Sequence, residues 1–131
     1  MTYDLVKKML RAKQVVVPFM AGNQIGLSRL QQMDDLVKGQ YGIFEPREEA
    51  RQLVARDAVD LFIVPGIAFD SRGNRIGRGF GHYDRVLSGV TAPRIGLAYD
   101  EQILGKIPSE PHDVRMTKII TNLEVITCGN S

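Results

Sequence analysis

Short apolar runs alternate with stretches of helical spacing along the whole chain. Residues 5–10 place apolar side chains at helical intervals and predict a first helix, and the β-branched run at 14–18 predicts a strand that proline ends. A loop is expected at 21–26, and residues 27–37 show mixed helical periodicity. The N-terminal third is therefore interpreted as helix, strand and loop, followed by a stretch of mixed helical character.

Two features in the middle of the chain predict parts of a packed core. Pro46, which precedes a polar and acidic stretch, is expected to begin a helix that carries Leu53 and Val54 on its inner face. The continuous apolar run at 61–64 predicts a central strand that is covered on both faces.

The second half of the chain continues the same alternation. Its predicted elements are a helix at 83–87 stopped by Gly89, a strand at 94–98, a helical turn at 101–104, a strand at 118–121 and an added strand at 124–127. Helices that alternate with buried strands predict an α/β fold, here a three-layer α/β/α domain with a mainly parallel sheet. Because ligands of such sheets gather at the carboxyl ends of the strands, we expect the segment after residue 64 and Tyr99-Asp100 to face one crevice.

Composition narrows the class of protein. The chain has 131 residues, 44% hydrophobic and 24% charged, with a formal net charge of +2. This length predicts a single domain over residues 1–131. The basic residues are scattered, which argues against a nucleic-acid partner, and no apolar stretch approaches the length of a membrane span. Cys128 is the single cysteine, which suits a reducing compartment, so we expect a cytoplasmic protein.

Three glycines mark the most informative segment. After an apolar run and a polar turn, Gly77, Gly79 and Gly81 occupy alternate positions before an amphipathic stretch. Backbone N–H groups of a glycine-rich turn that opens a helix can bind phosphate oxygens. No Gly-Lys-Ser/Thr follows, and His82 stands where a dinucleotide fingerprint requires a third glycine. From spacing alone, a phosphate cradle and a tight strand-to-helix connection without a ligand both remain open.

Polar and aromatic residues around the glycines allow two interpretations each. Asp84 falls in the first turn of the predicted helix, where a carboxylate either caps the helix or binds a metal. Arg75, Arg78 and Arg85 either neutralise phosphate or lie solvated at the surface. Tyr83 either stacks on a ligand ring or packs beneath the loop.

Four stretches carry a resemblance to a known family. They read YGIFEP at 41–46, PGIAFD at 65–70, GNRIG at 73–77 and GFGHYDR at 79–85. The last three are similar to the signature of the 5-formyltetrahydrofolate cyclo-ligase family (5,10-methenyltetrahydrofolate synthetase), and the first resembles the family's Gly-Ile-x-Glu-Pro. Gln102, Pro108 and His112-Asp113 fit the C-terminal third of the family pattern, so the resemblance covers nearly the whole chain.

The resemblance implies an enzyme that uses ATP and Mg2+ to convert 5-formyltetrahydrofolate to 5,10-methenyltetrahydrofolate. It implies an ATP-binding segment made of Gly77, Arg78, Gly79, Phe80, Gly81, His82 and Tyr83. It further implies catalytic Arg75, Arg78 and Tyr83, substrate-binding Glu45 and Phe69, and metal ligands Asp84 and Asp113. Family members often carry Lys or Gly in place of Phe80 and Tyr in place of His82, and Phe80 cannot donate to phosphate.

The N-terminus also departs from the family pattern. Family members carry a basic helix for the ATP phosphates and a Glu, in a Glu-x-x-Thr context, that contacts the folate; this chain is expected to begin at that Thr, as Met1-Thr2, without either. We therefore expect a partner segment to supply the missing residues, and a monomer or a homodimer. A non-catalytic nucleotide- or folate-binding module and another phosphate-ligand enzyme, such as a sugar-phosphate isomerase, remain alternatives.

Overall fold

The computed structural model describes four stretches of the chain, residues 2–39, 44–77, 82–109 and 114–128. The helices that it describes are α1 (Thr2–Met9) and α2 (His82–Leu87). The strands that it describes are β1 (Val15–Ala21), β2 (Gln24–Leu30), β3 (Leu36–Lys38), β4 (Phe44–Pro46), β5 (Phe62–Val64), β6 (Ala68–Phe69), β7 (Arg75–Ile76), β8 (Arg94–Leu97), β9 (Lys118–Ile120) and β10 (Val125–Thr127). In this part of the chain, no helix is long and apolar enough to cross a membrane.

The chain divides into two compact units, unit 1 (Met1–Ala58) and unit 2 (Val59–Ser131). Unit 1 holds α1 and two antiparallel hairpins, β1–β2 and β3–β4. Unit 2 holds α2, a four-stranded sheet and the short β6–β7 hairpin. The single domain expected over residues 1–131 stays a prediction.

A long hairpin replaces the helical stretch expected in unit 1. Every residue of β1 pairs with a residue of β2 in antiparallel register, and Gly22 has a φ of 66° in the connecting turn. The loop expected at 21–26 is therefore a tight turn followed by the start of β2. Residues 27–37 contain the end of β2, a 3-10 turn at Met33–Asp35 and the start of β3, so their helical periodicity was misleading. Pairing with a neighbouring strand outweighs a helical pattern in such segments.

Proline does not end the first strand, contrary to the sequence prediction. Pro18 lies inside β1, opposite Leu27. The Leu27 carbonyl accepts a hydrogen bond from the Val54 N–H at 3.0 Å, so the backbone groups of Leu27 point away from β1. The backbone nitrogen of Pro18 consequently points away from β2. Proline is tolerated here because the hairpin needs no donor at this position.

The helix expected after Pro46 is also absent from the described residues. Pro46 ends β4, and only a 3-10 turn at Glu48–Ala50 follows. The next residues run beside β2, because the Arg29 N–H donates to the Gln52 carbonyl at 2.9 Å. Leu53 is 79% exposed, so it does not lie on an inner helix face.

The four-stranded sheet of unit 2 has the order β10-β9-β8-β5. The pairs β5–β8 and β8–β9 are parallel, whereas β10 joins β9 in antiparallel register. The α/β class is therefore confirmed in its coarse form, a mixed fold with a mainly sheet core. Within the described residues β5 pairs on one side only, and Ile63 is 40% exposed, so the central, doubly covered strand expected at 61–64 was wrong. Successive side chains of a strand point to opposite faces, and Ile63 lies on the more exposed face of β5.

Several local predictions for unit 2 are confirmed. The helix α2 ends at Leu87, and Gly89 follows with a φ of 75°, a left-handed conformation that favours glycine at a helix stop. The expected helical turn at 101–104 is a 3-10 turn at Asp100–Gln102. Buried apolar side chains of the unit include Val64, Phe69, Leu87, Ala98 and Ile119. Burial of a side chain the size of leucine stabilises a fold by about 1.5–3 kcal/mol.

Candidate functional site

A tight turn between β6 and β7 builds the first part of the site. One carboxylate oxygen of Asp70, Oδ1, accepts hydrogen bonds from the backbone N–H groups of Arg72 and Asn74, each at 3.0 Å. Gly73 has a φ of 93°, and a Cβ at this position would lie 2.4 Å from the Met116 carbonyl oxygen. The turn therefore requires glycine for both its conformation and its close approach to a neighbouring backbone.

Asp70 also ties this turn to a distant segment. Its second oxygen, Oδ2, accepts hydrogen bonds from the Ile107 N–H at 2.9 Å and from Asn74 Nδ2 at 3.1 Å. Burial opposes the charge of the carboxylate, but the hydrogen bonds from Ile107, Asn74 and Arg72 together hold the pKa of Asp70 below its ordinary value. With 1% of its surface exposed, Asp70 is a buried anion that organises the loops of unit 2.

Arg75 leaves this turn and lies between three other groups. One terminal nitrogen of its guanidinium donates to the Pro65 carbonyl at 3.1 Å, and the other lies 3.8 Å from Asp84 Oδ1. The guanidinium also lies over the Tyr83 ring, 5.4 Å from its centroid. The Arg75 side chain is only 7% exposed, so its cation is held at the carboxyl end of β5 beside the start of α2.

Tyr83 packs beneath the arginine. Burial raises the pKa of the Tyr83 phenol, and the positive charge of Arg75 partly opposes this rise. The phenol therefore stays protonated at neutral pH and offers a hydrogen-bond donor. Contact with Arg75 agrees with the packing interpretation of Tyr83 and leaves ligand stacking open.

Asp84 is suited to one part of a magnesium site. Its side chain is 33% exposed, so its carboxylate contacts Arg75 and also lies within reach of a ligand. Mg2+ commonly takes one or two protein carboxylates and completes its coordination with phosphate oxygens and water. The described residues contain no group of three or more His, Cys, Asp or Glu side chains placed to hold a metal. The chemistry of Asp84 thus fits a metal shared with phosphate rather than a metal bound by protein alone.

Gln102 joins the two loops expected to share a crevice. Its Nε2 donates to the carbonyls of Gly66 at 3.1 Å and Ile67 at 3.0 Å. Its Oε1 accepts a hydrogen bond from the Tyr99 N–H at 2.8 Å. The segment that follows β5 and the turn that follows β8 are therefore in direct contact through one side chain.

Glu45 lies in unit 1, where its carboxylate already has partners. Oε2 accepts a hydrogen bond from the Met20 N–H at 3.0 Å, and Oε1 lies 3.2 Å from an Arg51 guanidinium nitrogen. Arg51 in turn stacks over the Phe19 ring, 4.3 Å from its centroid. The Glu45 side chain is 14% exposed, so its substrate-binding role stays a prediction that would require these contacts to rearrange.

Phe69 lies inside unit 2. Its ring is fully buried and packs against two glycines: a Cβ at Gly96 would lie 2.7 Å from the ring, and a Cβ at Gly66 would lie 2.8 Å from it. These glycines allow the aromatic ring to lie against the sheet. Binding of substrate by Phe69 stays a prediction, and the described geometry gives this residue a packing role.

Several predicted site residues cannot be placed. Arg78, Gly79, Phe80, Gly81 and Asp113 lie outside the described residues, as does the His82 side chain. Among the other members, Gly77 lies close to Arg75, because a Cβ at Gly77 would be 2.6 Å from the Arg75 guanidinium. Arg85 is exposed on α2. The structure therefore brings together Gly77, Arg75, Tyr83 and Asp84, which form one cluster beside the start of α2.

Sequence reasoning assigned no role to Asp70 or Gln102. The signal for Asp70 was its place before a polar turn that contains Gly73, a pattern typical of side chains that accept hydrogen bonds from the backbone of a turn. Gln102 had only its fit to a family pattern, since its carbonyl partners lie more than thirty residues earlier in the chain.

Comparison with known proteins identifies the family of the chain. The pattern that defines the 5-formyltetrahydrofolate cyclo-ligase family matches residues 2–122. The 5-formyltetrahydrofolate cyclo-ligase of Escherichia coli is 34% identical over 133 residues, which cover 95% of this chain and 72% of that protein. The enzyme of the same name from Mycolicibacterium smegmatis is 40% identical over 88 residues, covering 66% of this chain and 45% of that protein.

Solved structures show the same similarity. The structure of Aquifex aeolicus 5,10-methenyltetrahydrofolate synthetase superimposes with a TM-score of 0.83 at 33% identity, covering 98% of this chain and 66% of that one. A 5,10-methenyltetrahydrofolate synthetase from Mycoplasma pneumoniae has a TM-score of 0.67 at 24% identity, which shows a shared fold. This chain thus spans between somewhat under half and about three quarters of the length of these relatives.

Proposed function

Because this chain belongs to the 5-formyltetrahydrofolate cyclo-ligase family, we propose that it binds ATP and 5-formyltetrahydrofolate and forms 5,10-methenyltetrahydrofolate, ADP and phosphate. The observation that carries the proposal is the cluster of Arg75, Tyr83 and Asp84. It places a nearly buried cation and a carboxylate that is one-third exposed side by side at the start of α2.

The proposed reaction has two steps. The formyl oxygen of the folate attacks the γ-phosphorus of ATP, and ADP leaves with the electrons of the broken P–O bond. The neighbouring folate N–H nitrogen then attacks the activated formyl carbon and loses its proton, and phosphate leaves with the electrons of the broken C–O bond. Both steps depend on stabilising charge on phosphoryl oxygens, which is the main contribution of protein to phosphoryl transfer.

Arg75 is suited to stabilise this charge. Its guanidinium is already oriented by the Pro65 carbonyl and the Tyr83 ring, so little side-chain freedom remains to be lost when phosphate binds. A cation with 7% exposure acts in an environment that screens charge less than water does. The protonated Tyr83 phenol supplies a neutral donor beside it.

Asp84 would hold Mg2+ together with phosphate oxygens. When bound, the metal would neutralise phosphate charge and orient the nucleotide. Asp113 is the proposed second carboxylate, by family resemblance. Capping of α2 remains the alternative role of Asp84.

A second candidate function is a nucleotide-binding module without turnover. The observation that favours it is the state of the two predicted substrate residues: Glu45 is engaged by Arg51 and Met20, and Phe69 is fully buried. The residues proposed to bind phosphate are therefore better prepared for a ligand than the residues proposed to bind folate.

Two measurements on the purified chain separate these candidates. Formation of 5,10-methenyltetrahydrofolate is followed by its absorbance with ATP, Mg2+ and 5-formyltetrahydrofolate, and ATP binding is measured by calorimetric titration. Turnover supports the ligase, binding without turnover supports the module, and the absence of both would contradict each of them.

A pair of arginine variants tests the observation that carries the proposal. Arg75→Gln is expected to weaken ATP binding about tenfold or more, because a charge-assisted contact to phosphate contributes ~1.5–3 kcal/mol. Arg72→Gln is the matched control, since Arg72 lies exposed on the same turn. Equal ATP affinities for the two variants would remove Arg75 from the site.

The remaining features of the protein are proposed on the same family grounds. We propose helices on both faces of a mainly parallel sheet, a cytoplasmic location, and a monomer or homodimer.

A further inference from the structure

The Gln102 side chain uses its whole amide group in hydrogen bonds. Nε2 donates to two successive carbonyls, those of Gly66 and Ile67, and Oε1 accepts from the Tyr99 N–H. Two carbonyls that follow directly after a strand are thus held by a single donor group from another loop.

The held segment leads to Arg75 by two short routes. The Pro65 carbonyl, one residue before Gly66, accepts a hydrogen bond from the Arg75 guanidinium at 3.1 Å. The Ile67 N–H donates to the Ile76 carbonyl at 2.7 Å, next to Arg75 in β7. A shift of residues 65–67 would therefore move both the backbone and the side-chain support of Arg75.

The turn that carries Gln102 has supports of its own. The Gln102 N–H donates to the Tyr99 carbonyl at 2.9 Å, and the Asp100 N–H donates to Asn122 Oδ1 at 2.8 Å. Leu104 N–H donates to the Phe69 carbonyl at 2.8 Å. Loss of the Nε2 donor alone would leave the turn folded while releasing the two carbonyls.

We propose that Gln102 is a positioning residue for nucleotide binding, which acts by fixing residues 65–67 and, through them, Arg75. This inference rests on the proposed function only in that ATP phosphate is the ligand of Arg75. The side chain that positions Arg75 thus comes from the turn after β8, although Arg75 itself lies in β7.

Gln102→Glu tests the proposal with almost no change in shape. The carboxylate keeps the acceptor for Tyr99 but faces the carbonyls of Gly66 and Ile67 without a donor. We expect the ATP dissociation constant to rise about tenfold relative to the unaltered chain at about pH 8, because two acceptors lose their donor. At about pH 4 the acid is mostly protonated and again donates a hydrogen bond, so the ratio of the two constants is expected to fall towards one.

Asn122→Asp is the matched control. Asn122 lies between β9 and β10, so the variant places a comparable carboxylate against the turn that carries Gln102 and keeps the acceptor for the Asp100 N–H. Its ATP affinity is expected to stay near that of the unaltered chain at both pH values. An equal loss in Asn122→Asp would assign the effect to charge on the turn and overturn the proposal, as would unchanged ATP affinity in Gln102→Glu.

Amide hydrogen exchange gives a readout that does not depend on nucleotide. The Ile67 amide is expected to exchange about tenfold faster in Gln102→Glu than in Asn122→Asp, because its hydrogen bond to Ile76 opens more often. If the unaltered chain binds no ATP, the proposed function fails. Unchanged exchange of the Ile67 amide in Gln102→Glu would separately overturn the inference that Gln102 fixes residues 65–67. If Gln102→Glu does not fold, Gln102→Met replaces it and is expected to weaken ATP binding equally at both pH values.

Discussion

Asp70 and Asp84 belong to the same glycine-rich region of unit 2 and differ in almost every physical respect. Asp70 is 1% exposed and accepts four hydrogen bonds, whereas Asp84 has a 33% exposed side chain and, among the described residues, one ion pair at 3.8 Å. A buried anion that accepts hydrogen bonds from three loop residues supports the fold. A partly exposed anion lies within reach of a ligand, and this difference separates support from binding in one motif.

The largest effect is expected from Asp70→Asn. The amide removes a buried charge and turns one acceptor into a donor that faces N–H groups, so the free energy of unfolding should fall by about 3 kcal/mol. Urea unfolding measures the change. Asp60→Asn, at an exposed carboxylate of the same unit, is the control and should change stability by less than about 0.5 kcal/mol. Similar losses in the two variants would show that Asp70 is not a structural anion.

Gly73→Ala tests the conformation of the turn that Asp70 holds. The added Cβ meets the Met116 carbonyl and the φ of 93° disfavours any side chain, so we expect a loss of about 2 kcal/mol in the same unfolding assay. Gly22→Ala is the control, because Gly22 also has a positive φ but has nothing within 4 Å of an added Cβ. An equal loss in both variants would leave conformation alone as the cause and exclude the contact with Met116.

Asp84→Asn, unlike Asp70→Asn, should weaken ATP binding more than it lowers the free energy of unfolding. Its loss of stability should stay within about 1 kcal/mol, as for other partly exposed ion pairs. ATP affinity measured with Mg2+ is expected to fall about tenfold, while affinity measured without Mg2+ stays equal or rises through reduced repulsion with phosphate. A large loss of stability with unchanged Mg-ATP binding would assign Asp84 to helix capping instead.

The smallest expected effect concerns how the difference in unfolding free energy between Asp70→Asn and the unaltered chain depends on pH. The pKa of Asp70 is held below 3.8 in the folded state, so its contribution to stability is complete above 3.8 and is lost as pH falls through the lower folded value. Urea unfolding at neutral and at acidic pH should therefore give a smaller difference between Asp70→Asn and the unaltered chain in acid. A difference that grows as pH falls would have the wrong sign for a lowered pKa.

The sequence predicted elements whose causes are local. The helix α2 with its stop at Gly89 follows from periodicity and backbone conformation, and β8 follows from a short apolar run. It failed at residues 27–37, where the decisive interaction is pairing with a strand that lies earlier in the chain. Periodicity contains no information about such a partner.

The residues of the candidate site likewise fall into those that the sequence predicted and those that it missed. The sequence named Arg75 and Asp84, which the structure places together, because their motif is contiguous. It assigned no role to Asp70 or Gln102, whose partners Ile107 and Gly66 are more than thirty residues away in the chain. Which carboxylate is buried and which is accessible depends on those distant contacts.

Pro18 and Glu45 together have a consequence for self-association. Residues 18 and 20 of β1 direct their backbone nitrogens away from β2, towards the side of β1 near which β4 lies. Proline has no hydrogen to donate there, and the Met20 N–H is already bonded to the Glu45 carboxylate. This edge therefore offers few donors to an incoming strand and resists aggregation by strand addition. A carboxylate considered for substrate binding thereby also contributes to the solubility of the hairpin that it covers.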